Sequence, residues 1–291
     1  MRRVIDRLEA RLNPTHTVWF ETGPTLVRNA DDPLAEFLTV EHQTLVVNVA
    51  AGDLRWSRLG LRLGGHTAFE QTVRCQRDGT CTTYSGSPLE RHFSNWAPDN
   101  AAVALGLDPA TAGAIATQPS QALTLPWLAE ACEVDPARRL ERLERWTVEE
   151  TRPFGRALGR GHGHKHFGPV SSQFGEVEFE RYAALTRSIS QQGFVAQPVG
   201  DTFVGVQLLV DGDAVVALAL GPGLHRALVA VALGVDPLPV AVDRPPRVVH
   251  RVDARRWRGV RSGLFDQAAA LALFDRIMEG TPPHGMPTGE L

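Results

Sequence analysis

Apolar and polar positions are most regular after residue 175, where helical and strand spacings follow one another. Phe179, Tyr182, Leu185 and Ile189 form an apolar face at helical spacing, which predicts a helix starting just past Gly175 and ended by Gly193. Val206–Val210, the turn Asp211-Gly212-Asp213 and Ala214–Leu220 predict a strand–turn–strand unit. Gly221-Pro222-Gly223 then leads through Leu224-His225-Arg226 into a helix over Ala227–Leu233, closed by Gly234. Leu238–Val242 and Arg247–Val252 read as strands. A last helix, about Asp266 to Glu279, carries Ala269, Leu271, Leu273, Phe274 and Ile277. Strands alternating with helices indicate an α/β unit.

The first half has a mixed texture. Val4–Leu12 reads as a short helix, and His16–Thr22, Phe37–Val40 and Thr44–Ala50 as strands. Phe69–Cys75, the pair Asp78-Gly79 and Cys81–Tyr84 predict a hairpin, because Asp-Gly between two such runs favours a tight turn. From Asn100 to Glu150 the chain becomes helical and alanine-rich. Asp135-Pro136 opens its clearest helix, with Leu140, Leu143 and Trp146 as an apolar stripe. Residues 151–175 hold six glycines, a density that frees a loop or lets backbone approach a ligand. The expected organisation is α+β overall: an α+β N-terminal domain over 1–150, a Gly/His-rich linker or lid over 151–175, and an α/β domain over 176–291. No internal repeat is visible.

Composition narrows the chemistry. The chain has 291 residues, 43% hydrophobic and 22% charged, with a net charge of −3, as expected of a globular protein. Among 30 basic residues, Lys165 is the one lysine. A P-loop needs Gly-Lys-Ser/Thr, whereas Lys165 lies between His164 and His166. A lysine Schiff base would have to use Lys165, and a polylysine tail is excluded. Cys75, Cys81 and Cys132 give neither a disulfide framework nor a Cys-x-x-Cys pair. Cys75 and Cys81 could face each other across the expected hairpin, but reduced buried thiols are the expectation. The segment MRRVIDRLEARLNP lacks an apolar signal core, and no apolar run reaches the ~18 residues of a membrane span. A soluble, cytoplasmic protein is expected.

The stretch from Leu220 to Arg226 concentrates the candidate chemistry. A strand ends, glycines permit a tight turn, and a helix begins. Its first backbone N–H groups are unpaired and its dipole adds partial positive charge, which makes an anion site. Arg226 adds a planar fork suited to phosphate, and His225 a donor or titratable base. An ordinary strand-to-helix turn with Arg226 in solvent is the alternative. His162, His164 and His166 alternate along an extended segment. They could bind a transition metal, or hold phosphate together with Lys165, but no Asp, Glu or Cys lies nearby to complete a zinc site, so no metal ligand is assigned. Arg244, Arg247, Arg251, Arg255, Arg256, Arg258 and Arg261, with His250 and Trp257, read as a solvated, salt-bridged surface rather than an RNA or polyphosphate site.

The order Leu185-Thr-Arg-Ser-Ile189, Gly193-Phe194, a hairpin, Gly223-Leu-His225-Arg226-Ala227, Leu233-Gly234 and Leu238-Pro-Val240 resembles the ParB/sulfiredoxin superfamily. The resemblance covers roughly residues 168–245. It implies nucleotide binding, with the turn of Gly221 and Gly223, His225 and Arg226 at the phosphates; Lys165, outside the matching segment, would join them only if the glycine-rich loop closes over the site. Sulfiredoxins carry a catalytic cysteine just before the His-Arg pair; here Leu224 stands there. Chromosome-partitioning members add a helix-turn-helix region and basic surfaces. Here only about 45 residues follow the matching segment, and residues 160–291 hold 13 basic and 13 acidic side chains. Nucleic acid is therefore not an expected partner. The free-serine kinases of the superfamily are nearest, and imply phosphoryl transfer from ATP or another nucleotide, with Mg²⁺, to a small hydroxyl compound. Glu176 and Glu178, ahead of Glu180, are candidates for their acidic base, though first-turn carboxylates are also ordinary capping residues. A non-enzymatic nucleotide switch or ParB-like DNA-associated regulator is the alternative, and an interaction protein with a vestigial motif a third.

Overall fold

The computed structural model describes residues 45–65, 67–128, 135–195, 204–221, 223–242 and 247–287. The strands are β1 (Leu45–Val49), β2 (Leu54–Trp56), β3 (Leu61–Arg62), β4 (Val204–Asp211), β5 (Ala214–Ala219), β6 (Leu238–Val242) and β7 (Val248–His250). The helices are α1 (Ala68–Arg77), α2 (Pro88–Asn95), α3 (Ala101–Ala104), α4 (Pro136–Thr151), α5 (Ser172–Gln192), α6 (Leu224–Ala232), α7 (Arg258–Arg261) and α8 (Gln267–Glu279). The fold is α+β. The helix expected over Val4–Leu12, the strands at His16–Thr22 and Phe37–Val40, Cys132 and Arg244 lie outside the described residues.

One mixed sheet organises the molecule, in the order β1-β6-β4-β5-β2-β3, with β7 also beside β4. β4 is its centre: seven of its eight residues are buried, the pattern of a strand covered on both faces. It runs antiparallel to β5 and parallel to β6 and β7, which share one of its edges in succession. β1 and β2, from the first half of the chain, pair with β6 and β5 from the second. The main apolar core spans both halves, from Trp56, Phe69 and Phe93 to Val206, Leu228 and Phe274, with a small second cluster of Leu158, Phe174 and Val177. The expected division at 151–175 therefore does not separate two independent cores. Arg55 ties the halves further. Buried on β2, it donates through Nε and Nη2 to the carbonyls of Ile277 and Met278 at the end of α8, closing that helix.

Several local expectations are corrected. Phe69–Cys75 is helix, not the first strand of a hairpin. Thr67 and Glu70 form a reciprocal capping box that starts α1, and Phe69, Thr72 and Val73 go inward at helical spacing. Cys75 and Cys81, expected as reduced thiols, are joined by a disulfide with Cα atoms 5.2 Å apart. The N–H groups of Thr80 and Cys81 both donate to the Cys75 carbonyl there. α4 begins where expected, with the Asp135 carboxylate accepting from the N–H groups of Ala137 and Arg138. Its inward residues, however, are Arg139, Thr147 and Thr151, and Trp146 is exposed under the guanidinium of Arg142. α5 starts at Ser172, capped by Ser171, and Gly175 lies within it rather than before it. Beyond His250 the expected last strand gives way to a 3-10 turn, Arg251–Arg256. No helix among the described residues is long and apolar enough to cross a membrane.

Candidate functional site

α6 begins three residues earlier than its sequence pattern suggested, so His225 and Arg226 belong to its first turn. Gly223 is its N-cap, at φ +83°, and offers no side chain to the first N–H groups. The turn is held from below by Trp56, whose Nε1 donates to the Leu224 carbonyl at 2.9 Å. A small cavity of about 320 Å³ opens beside it, lined by Phe154, Arg181, Ala184, Leu185, Gly223, His225 and Arg226. Arg226 lies at its rim, with Nη2 donating to the Val195 carbonyl at 2.7 Å and its guanidinium 5.3 Å from the centre of the Phe194 ring. Gly221 is exposed and does not line the cavity.

Of the three glutamates considered, the fold brings Glu178 to the site. On α5 the side chains of positions 174, 178 and 182 point inward together, and Glu178 Oε2 lies 2.9 Å from His225 Nε2. Its other oxygen is 3.5 Å from Arg181 Nη2. Glu176, half-buried, pairs instead with Arg156 at 3.1 Å, and Glu180 is exposed. Burial alone would raise the Glu178 carboxyl, but Arg181 and His225 beside it outweigh that and hold it down at about 2. Burial lowers His225 below its ordinary value, and Glu178 offsets this only in part. The imidazole is thus neutral at pH 7. With Nε2–H donated to the carboxylate, Nδ1 carries the lone pair. A neutral imidazole oriented by a buried carboxylate is a proton acceptor whose cationic form has its counter-charge in place. The Tyr182 ring packs 5.4 Å from His225; its hydroxyl is buried with no partner among the described residues.

Of the glycine- and histidine-rich segment, Phe154 lines the cavity and the His162–His166 run does not. His164, His166 and Phe167 are buried: the His164 ring stacks on Phe167 at 4.3 Å, and His166 meets Trp56 edge-on at 4.9 Å. His92 Nε2 donates to the His166 carbonyl at 2.8 Å. His162 Nδ1 lies 3.1 Å from Ser171 Oγ. Lys165 does not line the cavity. Its Nζ donates to both oxygens of Glu150, at 2.9 and 3.1 Å. Glu150 Oε2 is also 3.4 Å from Arg181 Nη1, and its backbone carbonyl accepts from Arg181 Nη2 at 2.7 Å. A continuous chain, Lys165–Glu150–Arg181–Glu178–His225, thus runs behind the cavity wall. Arg181 and Glu150 are the site residues that sequence reasoning missed. The i,i+3 spacing of Glu178 and Arg181 was the only local signal for either.

No group of three or more His, Cys, Asp or Glu side chains among the described residues could hold a metal ion. In the arginine-rich stretch Arg251 grips Asp275 with two contacts of 2.7 and 2.8 Å and Arg256 pairs with Asp253, while Arg256, Arg258 and Arg261 line a separate cavity of about 710 Å³ beside Trp127 and Trp257. Among family models, curated proteins and solved structures, none matches this chain, and the chemistry of the site rests on its own geometry.

Proposed function

We propose that this chain is a nucleotide-dependent phosphotransferase of the small-molecule-kinase type. The observation that carries the reading is the 2.9 Å His225–Glu178 contact at the wall of the cavity onto which the N-terminus of α6 opens. In this reading the terminal phosphate of ATP or another nucleotide sits on the first N–H groups of α6, at Gly223, with Arg226 and Arg181 as counter-charges. A cavity of about 320 Å³ suits a phosphate and a small acceptor, with the nucleoside extending past the Phe194–Arg226 rim. The acceptor hydroxyl attacks phosphorus, its proton passes to His225 Nδ1, and the bond to the leaving nucleoside diphosphate breaks. Glu178 stabilises the imidazolium so formed. The resemblance to ParB/sulfiredoxin-type kinases supports the same assignment.

The Mg²⁺ that such a reaction implies has no fitting donor set among the described residues. No carboxylate among the described residues lines the cavity, and the oxygens of Glu178 and Glu150 are taken by His225, Arg181 and Lys165. No step is assigned to a protein-held magnesium.

The test is thermal stabilisation by nucleoside triphosphates, with and without Mg²⁺, on the wild type and on Arg226→Ala. The expected result is a shift for at least one nucleotide that falls at least several-fold in the variant. No shift with any nucleotide overturns the proposal, and equal shifts in both proteins move the site elsewhere. Turnover only when an acceptor is present marks a kinase; hydrolysis or binding alone marks a nucleotide switch.

A further inference from the structure

We infer that Lys165 is a positioning residue that lets the cavity accept an anion, by occupying Glu150 so that Arg181 keeps charge to offer a ligand. The inference rests on the anion-site reading above and adds to it a residue about 60 positions from the His-Arg turn.

Arg181 lies between two carboxylates. Glu150 contacts it at 3.4 Å and Glu178 at 3.5 Å, while its guanidinium packs over Phe154 at the cavity wall. A cation between two anions has little field left for a third, because the pair already neutralises it. Lys165 changes that balance. Its ammonium makes the shorter contacts to the Glu150 carboxylate, 2.9 and 3.1 Å against 3.4 Å for Arg181. With His225 neutral, the chain Lys165–Glu150–Arg181–Glu178–His225 has two cations and two anions. Without Lys165 it would be net negative just behind the surface where an anion must dock. The segment is built to keep the ammonium there. His164 and His166 are buried on either side of Lys165, and His92 holds the His166 carbonyl. The Lys165 side chain is four-fifths covered. Close to the cavity and partly desolvated, one unit of charge is screened far less than at an open surface.

The charge argument makes the two ends of one ion pair act in opposite directions, which a merely structural salt bridge does not do. Binding of inorganic pyrophosphate to the purified full-length chain, by titration calorimetry at pH 7.5, reads this out, with melting temperatures recorded in parallel. Lys165→Met is expected to weaken binding by at least tenfold. Glu150→Gln leaves Arg181 less neutralised and is expected to tighten binding by about threefold or more. The double variant restores charge balance and should bind within about threefold of wild type, and Lys165→Arg should do the same. If Lys165→Met does not fold, the sign of the Glu150→Gln effect and the double variant decide. Wild-type affinity in Lys165→Met, or a loss in Glu150→Gln matching that of Lys165→Met, overturns the inference and leaves the anion site standing. Failure of the wild type to bind pyrophosphate at millimolar concentration overturns the anion-site reading, and the role of Lys165 with it.

Discussion

Glu178 shows how burial and partnership divide at a single residue. It is 1% exposed, and a carboxylate so placed persists as an anion because a guanidinium and an imidazole N–H take its oxygens. Its charge in turn limits how far burial can lower His225. Glu178→Gln keeps the shape and removes the charge, so the His225 pKa should move further down, read from the imidazole carbon shifts in an NMR titration. An unshifted His225 titration would mean that the contact does not govern the imidazole. Stability should fall by about 3 kcal/mol, the usual cost of leaving a buried charge network one partner short. Sequence reasoning reached His225 through the glycine turn, and Glu178 as one of two favoured carboxylates. It could not reach Glu150, whose partners lie 15 and 31 positions away. Pairing across such separations leaves no periodic trace, and for the same reason nothing in the sequence places Lys165 on Glu150 rather than in the cavity.

Elements with a repeated apolar pattern were legible, and those decided by a cap or a single contact were not. β4, β5, β6, α5 and α8 lie within a few residues of their expected limits, because alternation and helical spacing persist through each. The Phe69–Cys75 run fits either spacing over so short a stretch, and the Thr67-x-x-Glu70 box settles it as helix. Gly175 is a second case of this kind. It looked like the end of a loop, yet it sits in the first turn of α5, and a Cβ there would run into the Tyr84 ring. Helix propensity favours alanine over glycine by up to about 1 kcal/mol, while forcing a methyl into packed side chains costs about 1–3 kcal/mol. Packing should win: Gly175→Ala is expected to lower stability by about 1–2 kcal/mol in urea denaturation. Gly52→Ala, where a Cβ meets nothing within 4 Å, should change it by less than about 0.5 kcal/mol. A stabilised Gly175→Ala would show that Tyr84 yields freely.

At the scale of the whole molecule, the buried histidines connect the first half of the chain to the sheet and set its response to acid. His92 on α2 and His164 and His166 in the glycine-rich segment surround Trp56, Phe69, Trp96 and Phe167. Burial lowers His92 to about 4 and His164 to about 3, and puts His166 well below its ordinary value. In the unfolded chain each returns to about 6.5. Below that pH the unfolded state binds protons that the folded state does not, so stability is complete above pH 6.5. It is lost as pH falls toward the folded values, at up to about 1.4 kcal/mol per pH unit for each histidine. Glu178 acts in the same direction at lower pH, between its unfolded value near 4.5 and its folded value of about 2. Urea midpoints should therefore be level from pH 8 to 7 and fall steeply between 6.5 and 4.5. His92→Phe gives up the hydrogen bond to the His166 carbonyl and starts from lower stability. Its slope below pH 6.5 should nonetheless be shallower by up to about 1.4 kcal/mol per unit, because one proton-binding site has left the unfolded chain. A wild type equally stable at pH 5 and 7, or a His92→Phe slope no shallower than the wild type's, would rule out these neutral histidines as the origin of acid sensitivity.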